Sequence, residues 1–371
     1  MEKLIIRINS VNWFTRTSLD RGKSIMKLKL LSIIFSLQVC FSFSQNIRTY
    51  DLEKQAEHAE NKGYDPSFRV NYFENIIIRS FLNSDVASFQ FRTLSGDTEY
   101  NIVPAAEYLL GVSLDYKWIA VGVSFSPDFL KNSNFEGVNS ESLKVEINFF
   151  FTDQWRQELS VSHLKGFLNK GQAGPNSDLQ LLNNTTLTTF QGSTFYIANK
   201  NFSFRAHYAQ TERQLRSAGS LIPKLTYAYN ITEPNITSDI LETQTLKLNS
   251  IDIIGQIGYL YTFVAKEKWY ATLGIHPGIG YNYAEYNLKD QSNQLFTNVT
   301  FALDNELSIG YNSYRWFFGL SGNWRNYNNL NNENNQISRD SEYFQVHLGY
   351  RLNDNKPMRK FFGWFEDHLG F

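Results

Sequence analysis

The stretch Tyr343–Leu352, which reads YFQVHLGYRL, decides the fold. Every second residue from Phe344 to Leu352 is apolar or aromatic, and the residues between them are mostly polar. Successive side chains of a β-strand point to opposite faces, so this stretch predicts a strand with one apolar and one polar face. The stretch Trp118–Phe125 repeats the pattern, with Ile, Val and Phe on one face and Ala, Gly and Ser on the other.

The links between such segments alternate in length along residues 107–352. Short links lie at 115–116, 152–153, 265–267 and 312–313, and long polar links separate the resulting pairs. A soluble β-sandwich also has many short strands, but it does not require this sorting of link lengths. We therefore predict an all-β fold, a transmembrane antiparallel β-barrel of about 12 strands (range about 10–14) with short periplasmic turns and long external loops.

The predicted strands are recognised by their alternation, and the stretch 165–199 is interpreted as a long external link. The predicted strands cover residues 75–82, 87–92, 107–114, 118–126, 142–151, 155–164, 202–209, 221–229, 251–264, 269–283, 296–311, 316–324 and 343–352. Strand parity assigns Val121 and Leu348 to lipid, and Ser124 and Gln345 to the lumen. A shift of one residue in register would exchange the two sets.

The N-terminal region predicts export. A basic start at Met26–Lys29 is followed by an apolar stretch and by small residues before Gln45, which is the pattern of a signal peptide cleaved after Ser44. The predicted organisation is a start-site extension plus signal peptide (1–44, the signal being 26–44), a periplasmic lead-in (45–72), the barrel (73–353) and a periplasmic tail (354–371). No later run reaches the roughly 18 apolar residues of a transmembrane helix.

Cysteine and charge content restrict the chemistry. The only cysteine, Cys40, lies in the predicted signal peptide, so the mature chain would have no disulfide, thiolate nucleophile or cysteine metal site. Leu37–Cys40 also resembles a lipidation site, although Gln38 and Val39 fit that reading poorly. The 35 basic and 36 acidic residues balance and indicate no nucleic-acid partner. No cofactor or metal is expected.

Four segments resemble an uncharacterised (domain-of-unknown-function) family of outer-membrane β-barrels of Bacteroidota. They are Leu114–Trp118, Lys165–Phe167, Asn201–Ala206 and Gln210–Ser220. The resemblance implies a barrel in the cell outer membrane, surrounded by lipid and lipopolysaccharide. It implies no activity and supplies no site residues.

Charged residues that alternate with apolar ones are assigned to the lumen. The candidates are Lys144, Glu146, Arg156, Glu158, Arg205, Asp304, Glu306, Arg315, Arg325 and Arg351. An unpaired buried charge is costly, so we expect these side chains to be paired or hydrated. They would form either a network that fills a narrow barrel or a lining that selects or binds solutes.

An enzyme is the alternative to a channel. Ser203 and His207 share one face of a predicted strand, but four residues along a strand span about 13 Å, and a nucleophile must lie within about 3 Å of its base. No catalytic sequence motif stands out. We predict a non-enzymatic outer-membrane protein, a narrow channel or a structural or binding barrel, with a lipid-modifying hydrolase as the alternative.

Three polar segments suggest further roles. Residues 211–220 are long and charged for a periplasmic turn, so they predict a plug in the lumen, a contact with a periplasmic partner, or an ordinary solvated turn. The Asn-rich loop Asn326–Asp340 suits carbohydrate or lipopolysaccharide, or is simply hydrated. The tail 354–371 combines charges and aromatic residues and predicts either an interfacial amphipathic helix or a frayed tail.

Overall fold

The computed structural model describes residues 52–92, 99–105, 108–130, 140–169, 180–233, 245–288, 293–329 and 337–369. All of them belong to one compact unit, Ile47–Phe371. The predicted signal peptide, its cleavage site and Cys40 lie outside the described residues, as do residues 330–336 of the Asn-rich loop.

The described part of the chain is mostly strand. Its strands are β1 (Arg69–Asn71), β2 (Asn75–Arg92), β3 (Glu99–Pro104), β4 (Tyr108–Tyr116), β5 (Ile119–Phe125), β6 (Glu141–Phe150), β7 (Trp155–Asn169), β8 (Gln180–Tyr196), β9 (Glu212–Gln214), β10 (Ala218–Glu233), β11 (Thr245–Ala265), β12 (Trp269–Leu288), β13 (Gln294–Asn312), β14 (Trp316–Asn329) and β15 (Ile337–Asn353). Its helices are α1 (Leu52–Lys62), α2 (Phe204–Tyr208) and α3 (Lys356–Leu369), with a 3-10 turn at Asp128–Leu130. Within these ranges no helix is both long and apolar enough to cross a membrane.

Within the described residues, twelve strands close a single antiparallel barrel. The neighbours run β2, β4, β5, β6, β7, β8, β10, β11, β12, β13, β14 and β15, and β15 returns to pair with β2. The closing pair places Asn353 opposite Asn75 and Ile337 opposite Phe91. Closure gives each barrel strand two hydrogen-bonded neighbours, which is what a sheet needs in lipid. The predicted fold class and the count of twelve are confirmed.

The outer surface of this barrel is apolar. Along β11, Ile253 and Ile257 point outward, and Ile257 is 63% exposed, whereas Asp252 and Gln256, which precede them, are buried. Large exposed apolar side chains occur in this way on all twelve barrel strands of the described chain. Water would disfavour so large an apolar surface, whereas lipid favours it. The closed barrel and its apolar exterior confirm the predicted outer-membrane location.

Short turns and aromatic pairs mark one end of the barrel. The turns are residues 117–118, 151–154, 266–268 and 313–315. Beside them, cross-strand Trp–Tyr pairs are formed by Trp155 with Tyr196, Trp269 with Tyr311 and Trp316 with Tyr350. Such aromatic rings concentrate at the membrane–water boundary. We term this end the periplasmic end and the opposite end the loop end. β3 extends the wall at the loop end, where it pairs with β2 and β7.

Three strand predictions are corrected. Residues 75–82 and 87–92 form the single strand β2, residues 202–209 contain α2 and are not a strand, and the predicted link 165–199 contains β8. The outward face of β8 carries Thr186, Thr188 and Thr194, so no apolar stripe marks it in the sequence. Because the first two candidates merge and β8 replaces 202–209, the thirteen candidates become twelve barrel strands.

Candidate functional site

The periplasmic end of the lumen is filled by two segments, residues 63–74 and 197–217, which together form the plug. β1 and β9 pair inside it, with Val70 opposite Arg213. Thr211 and Glu212 are fully buried. Of the three interpretations of residues 211–220, the plug in the lumen is correct for residues 211–217. Ala218 already begins strand β10. A periplasmic partner stays a prediction.

Helix α2 forms the upper part of the plug. The Ser203 side chain caps its N-terminus. The Ser203 hydroxyl accepts a hydrogen bond from the Ala206 N–H at 2.9 Å and donates one to Glu212 Oε2 at 2.6 Å. The helix ends at Tyr208; two residues later Gln210, with a φ of 57°, turns the chain away and donates its N–H to Arg205 O at 2.8 Å. A capped single turn therefore replaces the strand that the alternation of residues 202–209 predicted.

Two phenylalanines fix one side of the plug to the wall. Phe202 and Phe204 are buried in an apolar cluster with Phe150, Phe195 and Ile222 of the surrounding strands. Burial of a phenylalanine side chain is worth about 1.5–3 kcal/mol, so these two contacts favour the docked position of the plug.

A buried ion cluster joins both plug segments to a periplasmic turn. Arg69 lies 2.6 Å from Asp153 and 3.2 Å from Glu212, and Arg205 lies 3.9 Å from each of the same two carboxylates. Burial alone would raise the pKa of Asp153, but the charges of Arg69 and Arg205 outweigh burial and lower that pKa below its ordinary value. We term these four residues the ion cluster. Its two positive and two negative charges compensate each other.

Arg351 joins the last strand of the barrel to the plug. Its guanidinium donates to Gln210 O at 2.7 Å, to Ser313 O at 2.6 Å and to Asn312 Oδ1 at 2.9 Å. It also lies 3.9 Å from the ring centroid of Tyr72 in the first plug segment. One buried side chain therefore contacts the wall and both plug segments.

The top of α2 is fastened to the opposite wall by polar contacts. The Tyr208 hydroxyl donates to Glu306 Oε2 at 2.7 Å, and His207 Nε2 lies 3.2 Å from the same oxygen. His207 Nδ1 lies 3.3 Å from Ser308 Oγ. From the other side, Arg79 donates to Tyr208 O at 2.7 Å. These contacts hold the floor of the space above.

A cavity of about 180 Å³ lies above the plug, with His207, Tyr208 and Ala209 as its floor. Hydroxyl and amide groups contribute much of its wall; they include Asn83, Ser113, Ser124, Asn148, Ser193, Ser321, Asn323, Ser341 and Gln345. Toward the loop end, the Lys144 and Arg325 side chains are 28% and 33% exposed, whereas Arg156 near the floor is 1% exposed. Exposure thus falls toward the plug, and solvent reaches the cavity from the loop end.

Most charges of the cavity wall are paired with one another. Lys144 lies 3.5 Å from Glu146 and Arg156 lies 2.7 Å from Glu158. On the far side, Lys224 lies 2.8 Å from Asp304, which Arg325 approaches to 3.9 Å. The wall thus presents alternating charges of both signs, as expected for a narrow barrel.

The structure places eight of the ten predicted charged residues on the lumen faces of strands. Six line the cavity, namely Lys144, Glu146, Arg156, Glu158, Glu306 and Arg325. Asp304 lies behind Lys224, and Arg351 lies against the plug. Two assignments are corrected. Arg205 belongs to α2, so strand parity does not apply to it, and Arg315 lies in the turn between β13 and β14.

Several residues of this region were not predicted from the sequence. Arg79 follows three consecutive isoleucines, which hide the strand parity, and Lys224 follows a proline. Arg69 begins the three-residue strand β1 and Asp153 lies in a turn, and neither shows a local sequence signal. His207 was considered on a strand with Ser203, but it pairs instead with Ser308 of β13. Within the described ranges, no group of three or more His, Cys, Asp and Glu side chains could hold a metal ion.

Residues 63–352 match the family described as "Domain of unknown function (DUF4421)", and the chain belongs to that family. Membership of an uncharacterised family was predicted from the sequence and is confirmed; an origin in Bacteroidota stays a prediction. A comparison with curated proteins gives no match.

Solved structures with a similar fold include three outer-membrane barrels. The outer membrane protease OmpT of Escherichia coli is 8% identical, with a TM-score of 0.35 over 76% of this chain and 98% of its own. The translocator domain of the autotransporter NalP of Neisseria meningitidis is 10% identical, with a TM-score of 0.34 over 81% and 94%. OprG of Pseudomonas aeruginosa is 12% identical, with a TM-score of 0.26 over 76% and 98%. These similarities do not bear on function.

Proposed function

We propose that this DUF4421 protein is a non-enzymatic outer-membrane barrel that admits small hydrophilic solutes from outside and is closed toward the periplasm by its plug. The observation that supports this proposal is the polar cavity, which is solvent-exposed on its loop side and has α2 as its floor. It is a narrow channel in the closed state, with a binding chamber above the closure.

The charge pattern of the chamber favours neutral solutes. Lys144, Arg156 and Lys224 each lie beside a carboxylate of the wall, so an entering ion meets little excess of opposite charge at these positions. Hydroxyl and amide groups between these pairs both donate and accept hydrogen bonds, which suits small hydroxylated molecules. A volume of about 180 Å³ restricts the chamber to small solutes. The largest of them would be about the size of a single sugar ring.

Cysteine labelling tests whether the lumen opens only to the outside. In a chain with Cys40 replaced by serine, Ser124→Cys places a thiol in the cavity, and Ala206→Cys and Thr211→Cys place thiols in the plug. We expect a membrane-impermeant methanethiosulfonate reagent, added to intact cells, to modify the cavity thiol and to leave both plug thiols unmodified. Accessibility decides the result because the three substitutions are small and the reagent reacts only where water reaches.

The control is labelling after unfolding in detergent, when all three thiols should react equally. Modification of the plug thiols at the rate of the cavity thiol would show that the plug does not close the lumen. An unreactive thiol at position 124 would show that the chamber is not open to the outside. Either result overturns the proposal.

A hydrolase is the second candidate, and one observation favours it. His207 lies between the Ser308 hydroxyl at 3.3 Å and the Glu306 carboxylate at 3.2 Å, and all three side chains line the cavity. A histidine between a hydroxyl and a carboxylate is the arrangement that activates a serine nucleophile. The same contacts, however, also explain how α2 is fastened to β13, which is the role we assign to them.

A fluorophosphonate probe separates these two roles of Ser308. Such probes form a stable bond with an activated serine and leave an ordinary hydroxyl unmodified. We expect no adduct at Ser308 by peptide mass spectrometry of the folded protein treated in detergent. An adduct that disappears in both Ser308→Ala and His207→Gln would establish the hydrolase instead. Ser321→Ala, which changes another cavity hydroxyl, is the matched control.

A further inference from the structure

Helix α3 is part of neither the cavity lining nor the plug. It lies against the wall at the periplasmic end, where Phe362 packs on Tyr116 and Trp118 with ring centroids 4.8 and 5.6 Å apart, and Phe365 packs on Trp118 at 6.0 Å. Trp118 in turn stacks on Phe149 at 6.4 Å. α3 is therefore docked by an aromatic contact with β4, the following turn and β6.

This contact lies on the outside of the barrel. Phe149 shares the outward face of β6 with Leu143, which is exposed, whereas Asn148 beside it points into the lumen and contacts Arg156. Phe149 also stacks on the exposed ring of Phe151 in the following turn. α3 therefore covers a patch of wall that continues directly into the lipid-facing surface.

Polar contacts at Asp354 fix how α3 leaves the barrel. The Tyr116 hydroxyl donates to Asp354 Oδ2 at 2.9 Å, and Arg359 lies 3.3 Å from Asp354 Oδ1. The Asp354 N–H donates to Glu74 O at 3.1 Å. Asn355 then caps the helix by accepting from the Met358 N–H at 3.0 Å. These contacts of Asp354 and Asn355 fix the start of α3 and thereby its rotation about the helix axis.

With this rotation, α3 presents an aromatic flank next to the docked face and a charged flank turned away from the wall. Helix residues three or four apart lie on the same side, so Pro357, Phe361 and Trp364 share one flank. Phe361 and Trp364 are 59% and 56% exposed. Lys356, Lys360 and Asp367 share a charged flank, which is turned away from the docked face, and are also exposed. One flank is suited to an apolar environment and the other to water.

We propose that α3 is seated in the inner leaflet of the outer membrane, with Phe361 and Trp364 among phospholipid chains and the charged flank in periplasmic water. The exposed aromatic flank continues the apolar belt of the barrel, which already faces lipid. Tryptophan concentrates at the level of the headgroups, and lysines beside an apolar flank attract anionic headgroups. This inference is independent of the proposed lumen function.

Single spin labels test the position of each flank in bilayers of phosphatidylethanolamine and phosphatidylglycerol. In the chain without Cys40, we compare Phe361→Cys and Trp364→Cys with Lys356→Cys and Gly363→Cys by their collision rates with oxygen and with a water-soluble nickel complex; a side chain added at Gly363 meets open space. Oxygen concentrates in lipid and the complex in water. We expect the first pair to collide mainly with oxygen and the second pair mainly with the complex.

Other collision patterns would overturn the proposal. Equal access of all four labels to the nickel complex would place both flanks in water. Low access of the labels at 361 and 364 to both reagents would mean that protein covers the aromatic flank, as in a second copy of the chain. A label at Phe362→Cys should be immobile if α3 is docked. A mobile label there would show that the docking itself is absent.

Discussion

Removal of the second plug segment is expected to turn an electrically silent barrel into a conducting pore. Replacing residues 199–216 by a short Gly–Ser linker deletes α2 and β9, and with them the floor of the cavity and half of the ion cluster. Small barrels of about eight strands are filled by their own side chains, whereas a twelve-strand barrel without its plug encloses water. In planar bilayers we expect no steady conductance from the intact chain and clear single-channel steps from the deletion variant.

A substitution within the ion cluster should have the same effect in weaker form. Glu212→Gln keeps the shape of the side chain but leaves Arg69 and Arg205 with Asp153 as their only carboxylate in the cluster. Loss of one partner of a buried ion pair costs about 3–5 kcal/mol, whereas an exposed pair contributes about 0–1 kcal/mol. Glu74→Gln, which removes the exposed partner of Lys54, is the matched control and should stay silent.

Conductance must be read together with folding. Heat-dependent migration in detergent gels reports whether each variant forms the closed barrel. A deletion variant that folds and stays silent would show that other residues occlude the lumen, and the gating role of the plug would be wrong. Steady steps from the intact chain would equally contradict a closed plug.

Arginine on the lipid face is expected to block assembly, while arginine at the adjacent lumen position is tolerated. Val346 and Val123 point outward and are exposed, and Gln345 and Ser124 beside them line the cavity. An arginine in the middle of the lipid face costs about 2–4 kcal/mol, which is a large part of the stability of a typical domain. We therefore expect Val346→Arg and Val123→Arg to lose most of the heat-modifiable barrel in outer-membrane fractions.

The lumen variants Gln345→Arg and Ser124→Arg serve as matched controls, because each changes the neighbouring residue to the same side chain. They should assemble at levels close to the unmodified chain. Equal yields for the two members of a pair, or the reverse order, would mean that the faces are assigned wrongly. The same two faces follow from sequence parity and from the burial in the structure, so that result would overturn both.

Sequence alternation predicts the wall of this barrel wherever one face is apolar. β11 and β15 were located in this way, because every second side chain must enter lipid. β8 was missed because its outward face carries threonines, and residues 202–209 were misassigned because Phe202, Phe204 and Ala206 alternate by chance in a capped helix. An alternating sequence therefore indicates which side chains meet lipid or an apolar core, but it does not by itself show that the backbone is a strand.

The plug could be predicted only in part, for a different reason. The charges at residues 211–217 signalled an unusual segment, but the contacts that fix it join distant parts of the chain. Arg69 and Glu212 are 143 residues apart, and Arg351 and Gln210 are 141 apart. No local pattern encodes such pairs, so residues 63–72 of the predicted lead-in (45–72) were not recognised as part of the lumen.

The bond between Arg351 and the plug also bears on the order of folding. β15 pairs with β2, and the side chains of Asn75 and Asn353 meet although they are 278 residues apart in the chain. Contacts of such separation form late, because the loop that they close is long. The strand that closes the barrel, β15, also carries Arg351, which donates to Gln210 O of the plug. We therefore expect the final seam to close and the plug to be captured in one step.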